Sequence, residues 1–312
     1  MILTVTLNPS IDKRYVIKGG KKGEVNRVKS CAWSAGGKGL NAARAAALLG
    51  EPVIAAGILR GHSGQYIAEQ LSGHGILNCC IQASGENRSC INIYDESDGS
   101  QTEYLEPGEE MTDEEIERFT ESYKELVQRC DIVILSGSVP KGSGIFIYKI
   151  LIQTAHAAGK KVIADVSGIY LKNVLEAGAD MVKPNEDEIK AWSEKTLETD
   201  TDYIQAGREM QKKSGGIVVI SLGKRGSLVV TGEKAYRVYV PEMKSVNTVG
   251  CGDCMTAAYA VGFSQGKSLE ETIRLAAAAS AASAAGEATA SFNLEEMKKV
   301  GEYISIHDII FP

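Results

Sequence analysis

The chain has 312 residues, 44% of them hydrophobic and 24% charged, which suits a globular protein with a substantial core and excludes a disordered chain. Its 34 basic residues face 40 acidic ones for a formal charge of −6, and no long Lys/Arg block occurs, so nucleic acid is excluded as an expected partner and any anionic ligand must be met by local charge. Seven scattered cysteines lack the spacing of a disulfide framework and suit a reducing, cytoplasmic setting.

The chain opens on Met1-Ile2-Leu3-Thr4-Val5-Thr6-Leu7, which has no basic segment and runs straight into a strand pattern, so no signal peptide is expected. Apolar runs recur at 3–7, 53–58, 132–135, 161–165, 181–182 and 217–222. Helical patterns fall at 39–49, 112–129, 144–158, 202–213, 253–265 and 268–285, the second opened by a Thr112-x-x-Glu115 capping box. That alternation predicts an α/β protein with a mostly parallel sheet and helices on both faces. Segments 12–33 and 88–105 instead alternate polar and apolar residues, as half-exposed antiparallel strands do. They predict a small lid, discontinuous in sequence and inserted over the sheet of a single domain spanning 1–312. The Ala-rich run from Leu275 to Gly286 is too short and too weakly apolar to span a bilayer, so no membrane partner is expected.

The run Asn247-Thr248-Val249-Gly250-Cys251-Gly252-Asp253 opens the Ala-rich helix pattern. Backbone N–H groups of a Gly-rich turn at a helix N-terminus stabilise a phosphate or a developing oxyanion. The same residues suit a plain turn with Asp253 as N-cap. Ser34-Ala35-Gly36-Gly37-Lys38-Gly39-Leu40-Asn41 lacks the Walker spacing. Its glycines, ammonium and amide suit sugar hydroxyls and a phosphate, while Lys38 equally fits a solvated surface position. No G-x-G-x-x-G follows the first strand, which excludes a dinucleotide-binding enzyme. Cys251-Gly252-Asp253-Cys254 has the C-x-x-C spacing, but no second pair exists and His62, His74, His156 and His307 are isolated, so neither a zinc nor a redox site is expected.

Six blocks occur in an order that resembles the ribokinase-like sugar kinases: Thr6 to Asp12, Gly36 to Asn41, Ser136 to Pro140, Lys183-Pro184-Asn185-Glu186-Asp187-Glu188, Ser221 to Gly226, and Asn247 to Asp253. The Asn8-Pro9-Ser10-Ile11-Asp12 block is similar to the branch containing fructose-1-phosphate kinase and tagatose-6-phosphate kinase. This resemblance implies a three-layer α/β/α sandwich with a β lid, ATP and Mg²⁺ as cofactors, and a homodimer paired through the lid. It implies Asp253 as general base, with N–H groups of Gly250, Cys251 and Gly252 on the transferring phosphate. Asp12, Gly37 and Asn41 would bind sugar hydroxyls, and Lys38 and Arg88, with Arg27 as a further candidate, would neutralise the substrate's own phosphate. Lys183, Asn185 and Glu188 would face the ATP phosphates, the last two organising water around Mg²⁺, while Ser221, Gly223 and Gly226 would line the nucleotide groove. Fructose 1-phosphate is the expected substrate, with tagatose 6-phosphate or fructose 6-phosphate as alternatives. A non-catalytic sugar- or nucleotide-binding regulator is the rival from another class. Cys251 and Cys254 depart from the small residues usual in that turn, which raises a question of thiol reactivity.

Overall fold

The computed structural model describes residues 1–311. In chain order its strands are β1 (Ile2–Thr6), β2 (Ser10–Ile17), β3 (Ser30–Gly36), β4 (Val53–Arg60), β5 (Leu77–Asn78), β6 (Ile81–Ala83), β7 (Arg88–Asp95), β8 (Gln101–Leu105), β9 (Ile132–Ser136), β10 (Lys161–Asp165), β11 (Met181–Val182), β12 (Ile217–Ser221), β13 (Ser227–Val230), β14 (Lys234–Tyr239) and β15 (Ser305–Ile310). The helices are α1 (Lys38–Leu48), α2 (Gly61–Gly73), α3 (Asp113–Gln128), α4 (Ile147–Ala157), α5 (Ile169–Glu176), α6 (Glu186–Ser193), α7 (Asp200–Ser214), α8 (Cys251–Ser264), α9 (Leu269–Ala285) and α10 (Leu294–Glu302).

The large sheet runs β15-β14-β13-β12-β11-β10-β9-β1-β4-β5, with β6 also on β4. It is parallel from β12 to β5 and antiparallel from β12 to β15. Successive side chains on a strand point to opposite faces, so each central strand feeds two cores. Ile2, Val53, Ile132 and Ile163 pack with Leu40, Ile67, Tyr259 and Ile273 on one face. Leu3, Ile54, Val133 and Val162 pack with Phe119, Leu151, Val174 and Met210 on the other. The expected α/β/α layering is therefore the observed one. Truncating a fully buried residue such as Leu151 to Ala would cost about 2–5 kcal/mol. No helix among the described residues is long and apolar enough to cross a membrane.

The second sheet, ordered β3-β2-β7-β8, is built from the two alternating segments. One expectation is corrected here: β2 pairs with β7 in parallel, Asp12 opposite Cys90, while only the two flanking pairs are antiparallel. Polar alternation marks a half-exposed strand but carries no information on its partner. Four helices (α2, α5, α6 and α10), the short strands β5 and β6, and the antiparallel extension through β13, β14 and β15 lie outside the sequence expectations.

Candidate active site

The carboxyl ends of the parallel strands and the lid enclose a cleft of about 1870 Å³. Ligands of open α/β sheets bind at that edge. Asp253, Asp12, Lys38, Asn41, Arg88, Lys183, Asn185, Glu188, Ser221, Gly223 and Gly226 all line it, so segments far apart in sequence converge as the motifs imply. Arg27 does not: it lies in the exposed connection between β2 and β3 and is not part of the cleft wall.

Asp253 is the third residue of α8, and Gly250, not Asp253, is the N-cap, with φ +84°. An added Cβ at Gly250 would lie 2.8 Å from the Ala290 nitrogen, so both the backbone conformation and the packing demand glycine. The first N–H groups of a helix have no intrahelical acceptor. That of Cys251 makes a long turn bond to the Thr248 carbonyl, 3.4 Å, leaving Gly252 and Asp253 to present the first-turn donors to an anion. The Lys183 ammonium lies beneath the same turn, 3.1 Å from where a Cβ on Gly252 would stand.

The Asp253 carboxylate is 5% exposed and accepts a hydrogen bond from Asn41 Nδ2 at 2.7 Å. Burial, helped by the nearby negative charge of Asp165, pushes its pKa up to about 6 against the opposing pull of Lys38, Asn41 and Lys183. Asp165, at the end of β10, is the functional residue that motif reasoning missed. Its Oδ1 lies 3.0 Å from Lys38 Nζ and its Oδ2 3.1 Å from Lys183 Nζ. Burial opposes its charge, but the two ammonium groups prevail and hold its carboxyl down at about 2. The Thr256 hydroxyl lies 3.3 Å from Asp165 Oδ2 and 3.0 Å from the Gly252 carbonyl, tying the acid to the turn. A carboxylate ending a buried Val-Ile-Ala strand at the sheet's ligand edge was the available signal.

Lys38 is held by Asp165 and lies 3.7 Å from Glu188 Oε1, and the Asp165 carboxylate keeps its ammonium well above the usual lysine range. Its charge is therefore directed to the acids around Asp253. Asn185 and Glu188 form a reciprocal capping box opening α6: each side chain accepts from the other's backbone N–H at 2.8 Å. One carboxylate oxygen of Glu188 is thus occupied and the other faces Lys38. The Ser221 N–H donates to the Pro184 carbonyl, 3.1 Å, which brings the Asn185 and Ser221 blocks side by side.

On the lid side, the Ser10 hydroxyl donates to Asp12 Oδ1 at 2.7 Å. Burial raises the Asp12 carboxyl above its ordinary value, opposed by Ser10 and by the Arg44 and Arg88 guanidinium groups. Gly36 makes room for it: an added Cβ would stand 2.0 Å from Asp12 Oδ1. Arg88 Nε and Nη1 donate to the Asn8 and Glu106 carbonyls at 3.2 and 3.0 Å, fixing the guanidinium at the base of the lid. Asn8 Nδ2 in turn reaches Ser138 Oγ at 3.2 Å, which places a second missed residue, Ser138, in the cleft wall. Cys251 and Cys254 are free thiols, pushed up by burial to about 11 and about 12, and so are mostly protonated near neutrality. Among the described residues, no cluster of three or more His, Cys, Asp or Glu side chains forms a metal site.

A buried carboxylate beside an anion-binding helix start, with two lysines on a second acid, on a doubly covered parallel sheet under a β lid, defines a phosphoryl-transfer enzyme of the ribokinase-like fold. The comparisons carry this to a family: residues 5–296 match the pfkB family carbohydrate kinases, and the chain belongs to that family. It is 34% identical over 313 residues to a tagatose-6-phosphate kinase of Staphylococcus epidermidis, covering 99% of this chain and all of the relative. Phosphofructokinase-2 from Escherichia coli, solved with substrates and products, superposes with a TM-score of 0.90 at 29% identity, covering 97% of this chain and 98% of that one. Arabidopsis thaliana ribokinase, solved with ribose and ATP, gives 0.79 at 28% identity, again covering 97% and 98%. The chain is a kinase acting on a sugar hydroxyl.

Proposed function

We propose that this kinase transfers the γ-phosphoryl group of ATP to a primary hydroxyl of a ketohexose monophosphate, with Asp253 as general base. The observation that carries the reading is Asp253 itself: a nearly buried carboxylate, pushed up to about 6, in the first turn of a helix whose free N–H groups face the same cleft. Such a base is ionised near neutrality yet basic enough to take a hydroxyl proton as the oxygen attacks. The Gly252 and Asp253 N–H groups, with Lys183 beneath, stabilise charge on the phosphoryl oxygens. Gly250 shapes that hole, and the Cys251 N–H plays a lesser part because it is turned toward Thr248. Lys38, drawn to Asp165 and Glu188, serves the transferring phosphoryl group and not the phosphate already on the sugar; Arg88 is left as the cation for that phosphate.

Asp12, with Gly37 beside it, reads sugar hydroxyls, whereas Asn41 is engaged with Asp253 and acts on the base. Ser221, Gly223 and Gly226 border the nucleotide. Asn185 and Glu188, locked in their capping box, suit contact with Mg²⁺ through water better than direct ligation, and the residues fit a cation that arrives on ATP. That ion supplies charge neutralisation on the ATP phosphates. The exposed Trp33, Tyr104 and Leu105 of the lid, 54, 60 and 63% accessible, support pairing of two lids in a homodimer. Seven free cysteines support a cytoplasmic setting.

Tagatose 6-phosphate is the substrate the full-length relative favours, and fructose 1-phosphate is the second reading, from the Asn8 to Asp12 block. Turnover of ATP against tagatose 6-phosphate, fructose 1-phosphate and fructose 6-phosphate, ranked by kcat/KM, tests both. No turnover with any of the three would sink the reading, and a fructose 6-phosphate preference would replace the substrate.

A further inference from the structure

Arg44 lies on α1 one turn beyond Asn41 and is 9% exposed. Its Nη2 donates to Asn41 Oδ1 at 2.6 Å, and its Nη1 donates to the Ala35 carbonyl on lid strand β3. Both partners are neutral, and its charge is balanced through space by Asp12 and Asp253. An arginine is among the residues least often buried, and an apolar side chain would fill this inward position of α1 without desolvating a charge. The placement therefore asks for a role.

Hydrogen-bond chemistry supplies one. A guanidinium has five donors and no acceptor, so the end of the Asn41 amide that meets Arg44 must be its oxygen. The amide nitrogen is then forced toward Asp253, where it donates to Oδ2 at 2.7 Å. An ionised Asp253 favours the same sense, because a carboxylate only accepts, but a protonated Asp253 could donate to the oxygen of a rotated Asn41; Arg44 holds the amide nitrogen toward Asp253 in either state. The same guanidinium grips β3 two residues before Gly37, where the lid strand passes into α1, so the sense of the amide is tied to the seating of the lid.

We propose that Arg44 is a positioning residue that fixes the amide sense of Asn41, thereby orients Asp253, and links that orientation to lid strand β3. The proposal rests on Asp253 being the base. Arg44→Lys keeps a charge and loses the fork; Arg44→Met keeps length and loses all donors.

The test is a double-mutant cycle of each with Asp253→Asn, using ATP and whichever of the three sugar phosphates turns over best. Arg44→Met is expected to lower kcat about 10–100-fold with KM for ATP within about threefold, and Arg44→Lys to recover part of the loss. In the Asp253→Asn background the same substitutions should add less than about threefold, because there is no carboxylate left to orient. A merely structural role would lower kcat by the same factor in both backgrounds, which overturns the proposal, as does an unchanged kcat in the single variants. Should Arg44→Met fail to fold by circular dichroism, Arg44→Lys carries the cycle. If Asp253→Asn itself retains full turnover, the base assignment falls and the proposal with it; if Asp253→Asn loses turnover while the factors multiply, only the proposal falls.

Discussion

Asp253 is held in a state that suits the role of base proposed for it and not the fold. Its carboxyl is raised from 3.8 to about 6, so the folded protein binds that proton more tightly than the unfolded chain does, and stability is lost as pH rises through that window. Above it the full penalty of a buried charge applies, on the order of 1–3 kcal/mol. Asp253→Asn is therefore expected to raise Tm by a few degrees at pH 8 and to leave it nearly unchanged at pH 4, while kcat falls on the order of 10²–10⁴. Calorimetry at both pH values and steady-state kinetics check the pair of effects. Because Lys38 pulls the Asp253 pKa down, Lys38→Met should move the acid limb of the kcat profile to higher pH and lower kcat on the order of 10². An unmoved limb would show that Lys38 does not act on the base.

At this scale the sequence exposes those residues whose chemistry is marked by glycines, as Asp253 and Lys38 are. Asp165 and Arg44 carry no such flag, and Ser138, though it follows Gly137 in a motif block, has no chemistry that the block alone assigns. Their importance comes from tertiary neighbours: two lysines from α1 and the end of β11 for Asp165, and an amide one turn away for Arg44.

Among the elements, the start of α3 is the most legible. The Thr112-x-x-Glu115 pattern is a formed capping box, and Glu115 is also held by Arg60 through two bonds of 2.7 and 2.6 Å. Thr112→Ala should cost about 1 kcal/mol, read as a shift of the denaturant midpoint with unchanged kcat per folded molecule. The Asn185-x-x-Glu188 pattern has the same form and opens α6, but the eight-residue helix behind it buries only Ile189 and so carries little apolar periodicity to mark it. The α2 helix offers no such signal, since Arg60 stands at its N-cap without a side-chain bond. Gly36 belongs to the junction between β3 and α1. Gly36→Ala puts a methyl group into the Asp12 carboxylate, and the expected result is a rise in KM for the sugar of about tenfold or more with KM for ATP little changed.

For the whole molecule, the parallel half of the large sheet is legible where its strands are Val/Ile-rich runs, as in β4, β9, β10 and β12, and not at its edge, where β5 and β6 are only two and three residues long. The antiparallel half is less so: β13 and β14 follow β12 with only short connections, and β15 returns from the far end of the chain to pair with β14. Which strand returns to which edge is a matter of chain geometry, not of local pattern. Assembly is equally hidden from sequence. If lids pair, Trp33→Glu with Tyr104→Glu should convert a dimer to a monomer in sedimentation, and a wild-type monomer at micromolar concentration would discard the pairing.

The first strand lies in the interior of the sheet, with Ile2 facing Val53 of β4 on one side and Ile132 of β9 on the other. A chain emerging from the ribosome must therefore wait until β9 has appeared before β1 can bury both its edges. Until then the early segment exposes an apolar strand with an open ladder, the kind of edge that recruits chaperones or other nascent chains. The layout that seats the active site at the strand ends thus makes the first half of synthesis the period of greatest vulnerability to aggregation.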